Sequence, residues 1–139
     1  MKKFIKTSIA ITLAFICLLG LTACKNTPVD EDGLWSDALY TEDTTLGEGK
    51  TTTTVEVKAG DKSVIFTINT DQEMLGAALL ENKIVEGTDG LYTKVNGITA
   101  DFNKDQAYWG FFVNGGYANK GIDDTKIEKD VKYKLEYTK

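Results

Sequence analysis

Residues 51–82, TTTTVEVKAGDKSVIFTINTDQEMLGAALLEN, decide the fold. Val55 and Val57 alternate with Glu56 and Lys58, the period-two pattern of a half-buried strand. Ala59-Gly60-Asp61 reads as a turn. Ser63–Asn69 returns with Val64, Phe66 and Ile68 on one face and Ile65 and Thr67 on the other. Together the two runs predict a β-hairpin with one apolar face. Thr70-Asp71-Gln72-Glu73 then has the form of a capping box, a hydroxyl followed three residues later by Glu. It predicts a helix over Asp71–Asn82, with Leu75, Ala78 and Leu79 as its apolar stripe and Met74 beside them. A helix of about three turns covers one sheet face and little more.

Downstream, Gly87 and Thr88-Asp89-Gly90 mark the helix exit loop. Leu91–Asn96 predicts a third strand, Asn96-Gly97 a tight hairpin turn, and Ile98–Phe102 the returning strand. Asn103-Lys104-Asp105 turns again. Ala107–Val113 is the most apolar strand, and Asn114-Gly115 turns it. Lys132–Tyr137 alternates Tyr133, Leu135 and Tyr137 with Lys132, Lys134 and Glu136, and closes the sheet. The order predicts an α+β domain over residues 51–139: a β-grasp-like arrangement of one helix packed on a small mixed or antiparallel sheet.

Upstream of the hairpin the character changes. Residues 1–23 combine a basic head (Lys2, Lys3, Lys6) with a short apolar stretch, Ile9–Leu19, broken by Thr12. That is a secretory leader, too short for a membrane span of about 20 apolar residues. Leu21-Thr22-Ala23-Cys24 resembles a bacterial lipobox, with small residues before a Cys whose thiol takes the diacylglyceryl group. The expected product is a lipoprotein acylated (palmitate-type chains) on Cys24 and held at the cell membrane, facing the extracellular side. Residues 24–50, rich in Asp, Glu, Thr and Gly and containing Pro28, read as an acidic tether. Leu34-Trp35 and Leu39-Tyr40 interrupt it. They either pack onto the domain as a short extra segment or form a free, sticky contact.

Composition excludes several classes of function. Three of the 16 basic residues, all Lys, lie in the leader, which leaves 13 against 21 acidic residues. Such a surface repels nucleic acid and anionic headgroups. The only cysteines, Cys17 and Cys24, precede the domain, so a disulfide framework or thiolate metal site is not expected. There is no His, and Ser36 and Ser63 are the only serines beyond the leader, neither in a nucleophile elbow. No enzyme activity, cofactor or metal is expected. Asp101–Asp105 starts like a calcium loop, but Gln106 stands where that loop needs Gly and Phe112 where it needs Glu. A hairpin turn is the simpler reading.

Tyr108-Trp109-Gly110-Phe111-Phe112 stands out. Tyr108, Gly110 and Phe112 share one strand face; Trp109, Phe111 and Val113 share the other. The aromatics either fill a core or leave a patch facing a ligand or partner. Gly110 would then be a shallow notch between Tyr108 and Phe112, open to a flat ligand or another backbone.

Ile98-Thr99-Ala100-Asp101, Ala107-Tyr108-Trp109, Phe111, Asn114-Gly115 and Gly121-Ile122 together resemble the transcobalamin-like C-terminal domain of bacterial surface lipoproteins. That domain is similar to the β-domain of intrinsic factor and transcobalamin, and the resemblance spans about residues 51–139. It implies a membrane-anchored binding module with cobalamin or a related corrinoid as candidate ligand, passed on to a transporter or surface partner. It further implies that the strand Tyr108, Trp109, Gly110, Phe111 and Phe112, with Asn114 and Tyr117 in the loop that follows, faces the ligand. The alternative is a surface protein–protein interaction domain with no small-molecule ligand.

Overall fold

A computed structural model describes residues 33–139. The expected leader, Cys24 and the first part of the tether lie outside them. The described chain is mostly strand: β1 (Thr44–Leu46), β2 (Thr51–Ala59), β3 (Lys62–Thr70), β4 (Val85–Thr88), β5 (Leu91–Val95), β6 (Ile98–Thr99), β7 (Tyr108–Val113), β8 (Gly116–Tyr117) and β9 (Tyr133–Thr138). Two short helices, α1 (Leu75–Glu81) and α2 (Phe102–Asp105), accompany them. The α+β expectation holds at this level. The expectation of one small sheet does not, because the strands form two sheets, β1-β3-β2-β9-β7-β8 and β4-β5-β6.

The hairpin of residues 51–70 forms as its alternation requires. Nine residue pairs link β2 to β3, from Thr51 opposite Thr70 to Ala59 opposite Lys62. Val55, Val57, Val64, Phe66 and Ile68 are fully buried. Each such side chain contributes about 1.5–3 kcal/mol on leaving water. β9 lies parallel to β2 at the sheet centre and antiparallel to β7, so Tyr133 and Leu135 join the same buried layer. Leu75, Ala78 and Leu79 of α1 close the layer from above.

The helix is shorter than the sequence predicts. It starts at Leu75, not Asp71, because residues 73–75 are engaged elsewhere. Leu75 N–H donates to Thr125 C=O at 2.8 Å and Ile127 N–H to Glu73 C=O at 2.9 Å, while Met74 bridges Lys126. Thr70 ends β3 instead of capping α1: its hydroxyl accepts from Gln72 N–H and donates to Glu81. A 3-10 turn over Ile122–Asp124 lies against α1, where Gly76 leaves room for Asp123. A Cβ at Gly76 would stand 2.0 Å from Asp123 Oδ1.

The boundary expected at residue 51 falls too late. Residues expected as tether contribute Trp35 to the core and β1 to the sheet edge, parallel to β3. Trp35 Nε1 donates to Ala59 C=O at 2.8 Å. Buried Asn96 fastens the same arm: its side chain accepts from Tyr40 N–H and donates to Tyr40 C=O. Leu34-Trp35 and Tyr40 therefore pack, whereas Leu39 stays exposed.

Two further elements differ from expectation. The exit loop after the helix contains β4, whose single buried residue, Val85, gives no alternation to read. The strand expected over Ile98–Phe102 stops at Thr99. Asp101 then caps α2, its Oδ1 accepting from Asn103 and Lys104 N–H. That occupies the carboxylate with which a calcium loop would begin.

Candidate functional site

The alternation along β7 separates its side chains by role. Trp109, Phe111 and Val113 pack against the core. Phe111 stacks on Tyr133 at 6.3 Å between ring centroids, and Trp109 meets Tyr137 edge-on at 5.6 Å. Tyr108 and Phe112 point to the opposite face, which α1 does not cover. There Phe112 packs on Tyr117 of β8 at 4.2 Å, and the Tyr108 and Tyr117 hydroxyls share a hydrogen bond of 3.2 Å.

Gly110 leaves no open notch. A Cβ added there would lie 3.0 Å from Phe112 Cε2, 3.3 Å from Thr138 Oγ1 and 3.4 Å from Tyr117 Cε1. The space is filled by the chain's own rings, so Gly110 serves packing rather than ligand approach. Beside it, Lys134 Nζ sits over the Phe112 ring at 4.5 Å and binds Glu136, which also pairs with Lys58 at 3.4 Å. The Lys134 ammonium, and more weakly that of Lys58, hold the Glu136 carboxyl below its ordinary pKa against the opposing effect of burial. The bond to Tyr117 raises the Tyr108 phenol above its ordinary value.

Two concavities flank this strand. A cleft of about 410 Å³ opens beside β8, with Asn114, Tyr117, Lys120, Lys126, Glu128 and Tyr133 among its lining. The left-handed Asn114 and Gly115 build its rim through a two-residue turn, and Asn114 Oδ1 accepts from Lys132 N–H at 2.9 Å. Across the cleft, the Tyr133 hydroxyl donates to Lys126 C=O and accepts from Glu128 N–H, which fixes that wall. The second concavity, about 380 Å³, is a groove between β5 and β7 lined by Leu91, Tyr92, Phe102, Ala107, Tyr108 and Trp109, among others. Tyr92 donates to Asp123 at 2.5 Å. Burial, then the bond to that carboxylate and its charge, push the Tyr92 phenol up to about 12.

The seven residues expected at one site are therefore distributed. Asn114 and Tyr117 line the cleft, Tyr108 and Trp109 line the groove, and Gly110, Phe111 and Phe112 line neither. Lys120, Lys126 and Glu128 in the cleft, and Leu91 and Phe102 in the groove, were not legible as site residues. Leu91 and Phe102 carry one signal, being apolar residues within polar turn segments. The lysines carry none.

Both concavities lie in the part of the chain that known proteins match. Residues 72–139 match the family model described as a domain of unknown function, DUF4430. The matched stretch begins just after the β2–β3 hairpin and includes both candidate places. Among solved structures, a candidate metal-binding protein from Ruminococcus gnavus aligns with a TM-score of 0.60 at 27% identity, over 65% of this chain and 98% of that one. Haptocorrin in complex with Cbi aligns with a TM-score of 0.47 at 12% identity, over 68% of this chain and 27% of haptocorrin. No curated protein sequence matches the chain. Among the described residues, no group of three or more His, Cys, Asp or Glu side chains stands together to hold a metal ion.

Proposed function

We propose that the chain is an exported lipoprotein, acylated on Cys24, whose domain works as a small, non-enzymatic binding module at the outer face of the cell membrane. The observation that carries the binding reading is the cleft beside β8. It combines an aromatic wall (Tyr117, Tyr133) with amides (Asn114, Asn119) and amino groups (Lys120, Lys126) in about 410 Å³. A volume within the roughly 300–1,000 Å³ of ligand pockets suits a small molecule, and a lining shared about equally between polar and apolar residues suits one with both kinds of surface. Within this reading, a flat ligand with an apolar body and a rim of hydrogen-bond acceptors fits best. A corrinoid has that chemistry, and the likeness of Ile98–Ile122 to the transcobalamin-like domain favours it. The connectivity, with two hairpins flanking the parallel pair β2 and β9, is read as β-grasp-like.

The description of the Ruminococcus gnavus protein raises metal binding as a second reading. Among the described residues no three or more His, Cys, Asp or Glu side chains cluster to support it, and the aromatic and amide lining of the cleft favours a small organic ligand.

Titration of the full chain with cobinamide, followed by calorimetry and by the corrin absorbance, tests the ligand. Saturable binding that weakens at least about tenfold in Tyr117→Ala, a loss of about 1.4 kcal/mol, is expected. Absence of any signal at millimolar ligand overturns the corrinoid reading. The anchor is tested separately with labelled palmitate: label that disappears in Cys24→Ala is expected, and an unlabelled wild-type protein would contradict it.

A further inference from the structure

The groove between β5 and β7 shares no lining residue with the cleft beside β8. Its surroundings concentrate exposed apolar side chains. Leu91 is 76% exposed, Phe102 66% and Tyr108 43%, and all three line this one groove. Large apolar groups displayed together mark a contact surface more reliably than isolated ones do.

One wall of the groove is a strand edge. On β7 the odd-numbered residues turn their backbone groups away from β9: Ala118 N–H donates to Phe111 C=O at 3.0 Å, and Val113 faces Gly116 of β8. The even-numbered positions turn the other way, as Asn114 N–H does in donating to Lys132 C=O at 2.8 Å. Trp109 therefore directs its N–H and C=O to the open edge, and β8 is too short to reach it. Among the described residues, neither of these two groups, nor Phe111 N–H, has a hydrogen-bond partner. An open edge of this kind is a template for an added strand.

The rim adds a sign. Asp89 precedes the lining residue Gly90, and Asp101 and Asp105 lie in the chain between Ala100 and Ala107; the cations along the same stretch are Lys94, which pairs with Glu86 at 3.3 Å, and Lys104. Lys104 approaches Asp101 only at 3.9 Å and is itself 81% exposed. The rim is thus net negative, in keeping with the chain as a whole.

We propose that the Tyr108–Phe111 edge of β7 docks a short extended segment of a partner protein. The segment pairs its backbone with Trp109 and places an apolar side chain between Leu91, Phe102 and Tyr108, with Lys or Arg flanking it against the three aspartates. An extended backbone matches the unpaired edge, an apolar side chain matches the groove, and a cation matches the rim. The unpaired edge does not fit a helix, whose backbone groups are already bonded to each other, and the rim does not fit an acidic segment.

The probe is an eight-residue peptide alternating Lys and Val, free of Trp, added to the full chain in a non-ionic detergent. The chain has two tryptophans, and Trp109 lines the groove while Trp35 is buried in the core, so fluorescence reports occupancy. The account expects a saturable change in emission that weakens at least tenfold when Glu replaces Lys in the peptide. It expects the same loss when the central peptide nitrogens are methylated, and again in Leu91→Ser and Phe102→Ser. Both substitutions are at exposed positions, and thermal melts unchanged from the wild type would show that the fold persists. Failure to saturate at millimolar peptide overturns the proposal. So does binding indifferent to N-methylation, or binding undiminished in the two serine variants, which would assign the signal to detergent-bound peptide. A Lys-free apolar peptide that binds as tightly as the probe overturns the role of the rim.

Discussion

The two faces of β7 carry the same kind of residue and have opposite fates. On the inner face, Phe111 and Trp109 are held by Tyr133, Tyr137 and the buried layer of β2, β3 and β9. On the outer face, Phe112 and Tyr108 are held by Tyr117, Lys134 and the Thr138 side chain, on a side of the sheet that α1 does not reach. Aromatic content alone therefore does not distinguish core from display. Strand parity does, because α1 covers only one face.

The comparison breaks most sharply at Phe111. Phe111 packs on the core but is only half-buried, so Phe111→Ala is expected to cost about 2–3 kcal/mol, below the loss of a fully buried ring, read from urea unfolding. A cost as small as that of an outer residue would refute the assignment of inner and outer faces. Phe112 is half-buried like Phe111 but packs on Tyr117 and Lys134 rather than on the core, so Phe112→Ala should cost less, about 1–1.5 kcal/mol. Gly110→Ala presses on Phe112, Thr138 and Tyr117 at 3.0–3.4 Å. Those rings are on the open face and can shift, so about 1 kcal/mol is expected. A neutral result would mean that the outer cluster is looser than its contacts imply.

A pH experiment sharpens the contrast from the groove side. Tyr92 in the folded chain ionises near 12, above the ordinary tyrosine value of 10.0. The unfolded chain loses this proton first, so the stability linked to the protonated Tyr92 phenol, through its burial and then its bond to Asp123, is complete below about pH 10 and is lost as the pH rises through about 12. Wild-type unfolding midpoints should fall across that window more steeply than those of Tyr92→Phe, and parallel curves would contradict the linkage. The smallest effect belongs to Tyr108→Phe. The removed hydroxyl is at the surface and bonds only weakly to Tyr117, so a change within about 0.5 kcal/mol is expected by thermal melting.

The same contrast explains what the sequence could reveal. Strong alternation made the β2–β3 hairpin, β7 and β9 legible, and the Asn96-Gly97 and Asn114-Gly115 turns were plain because both residues of each adopt positive φ. The arm before β2 was hidden. Thr44–Leu46 is three residues long with no apolar alternation, and its attachment depends on Trp35 and Asn96, 24 and 56 residues from the partners that they bond. The second sheet was hidden because β4 buries only Val85 and β6 has two residues. The capping box misled because Thr70 and Glu73 are claimed by β3 and by Ile127. As for the candidate site, parity separated the residues of β7 into two faces, and residues of both were expected at the site. It did not say which face is the outer one, and it could not bring Lys120 and Lys126 to Tyr117, because only the long return from β8 to β9 does that.

The most direct test of a small-ligand cleft beside β8 is an amide NMR titration of the labelled full chain with cobinamide. Shift changes concentrated at residues 113–120 and 125–131 are expected, with the amides of β2 and β3 unmoved. Changes centred on Trp109 and Leu91 with none at Tyr117, or no changes at millimolar ligand, would contradict it.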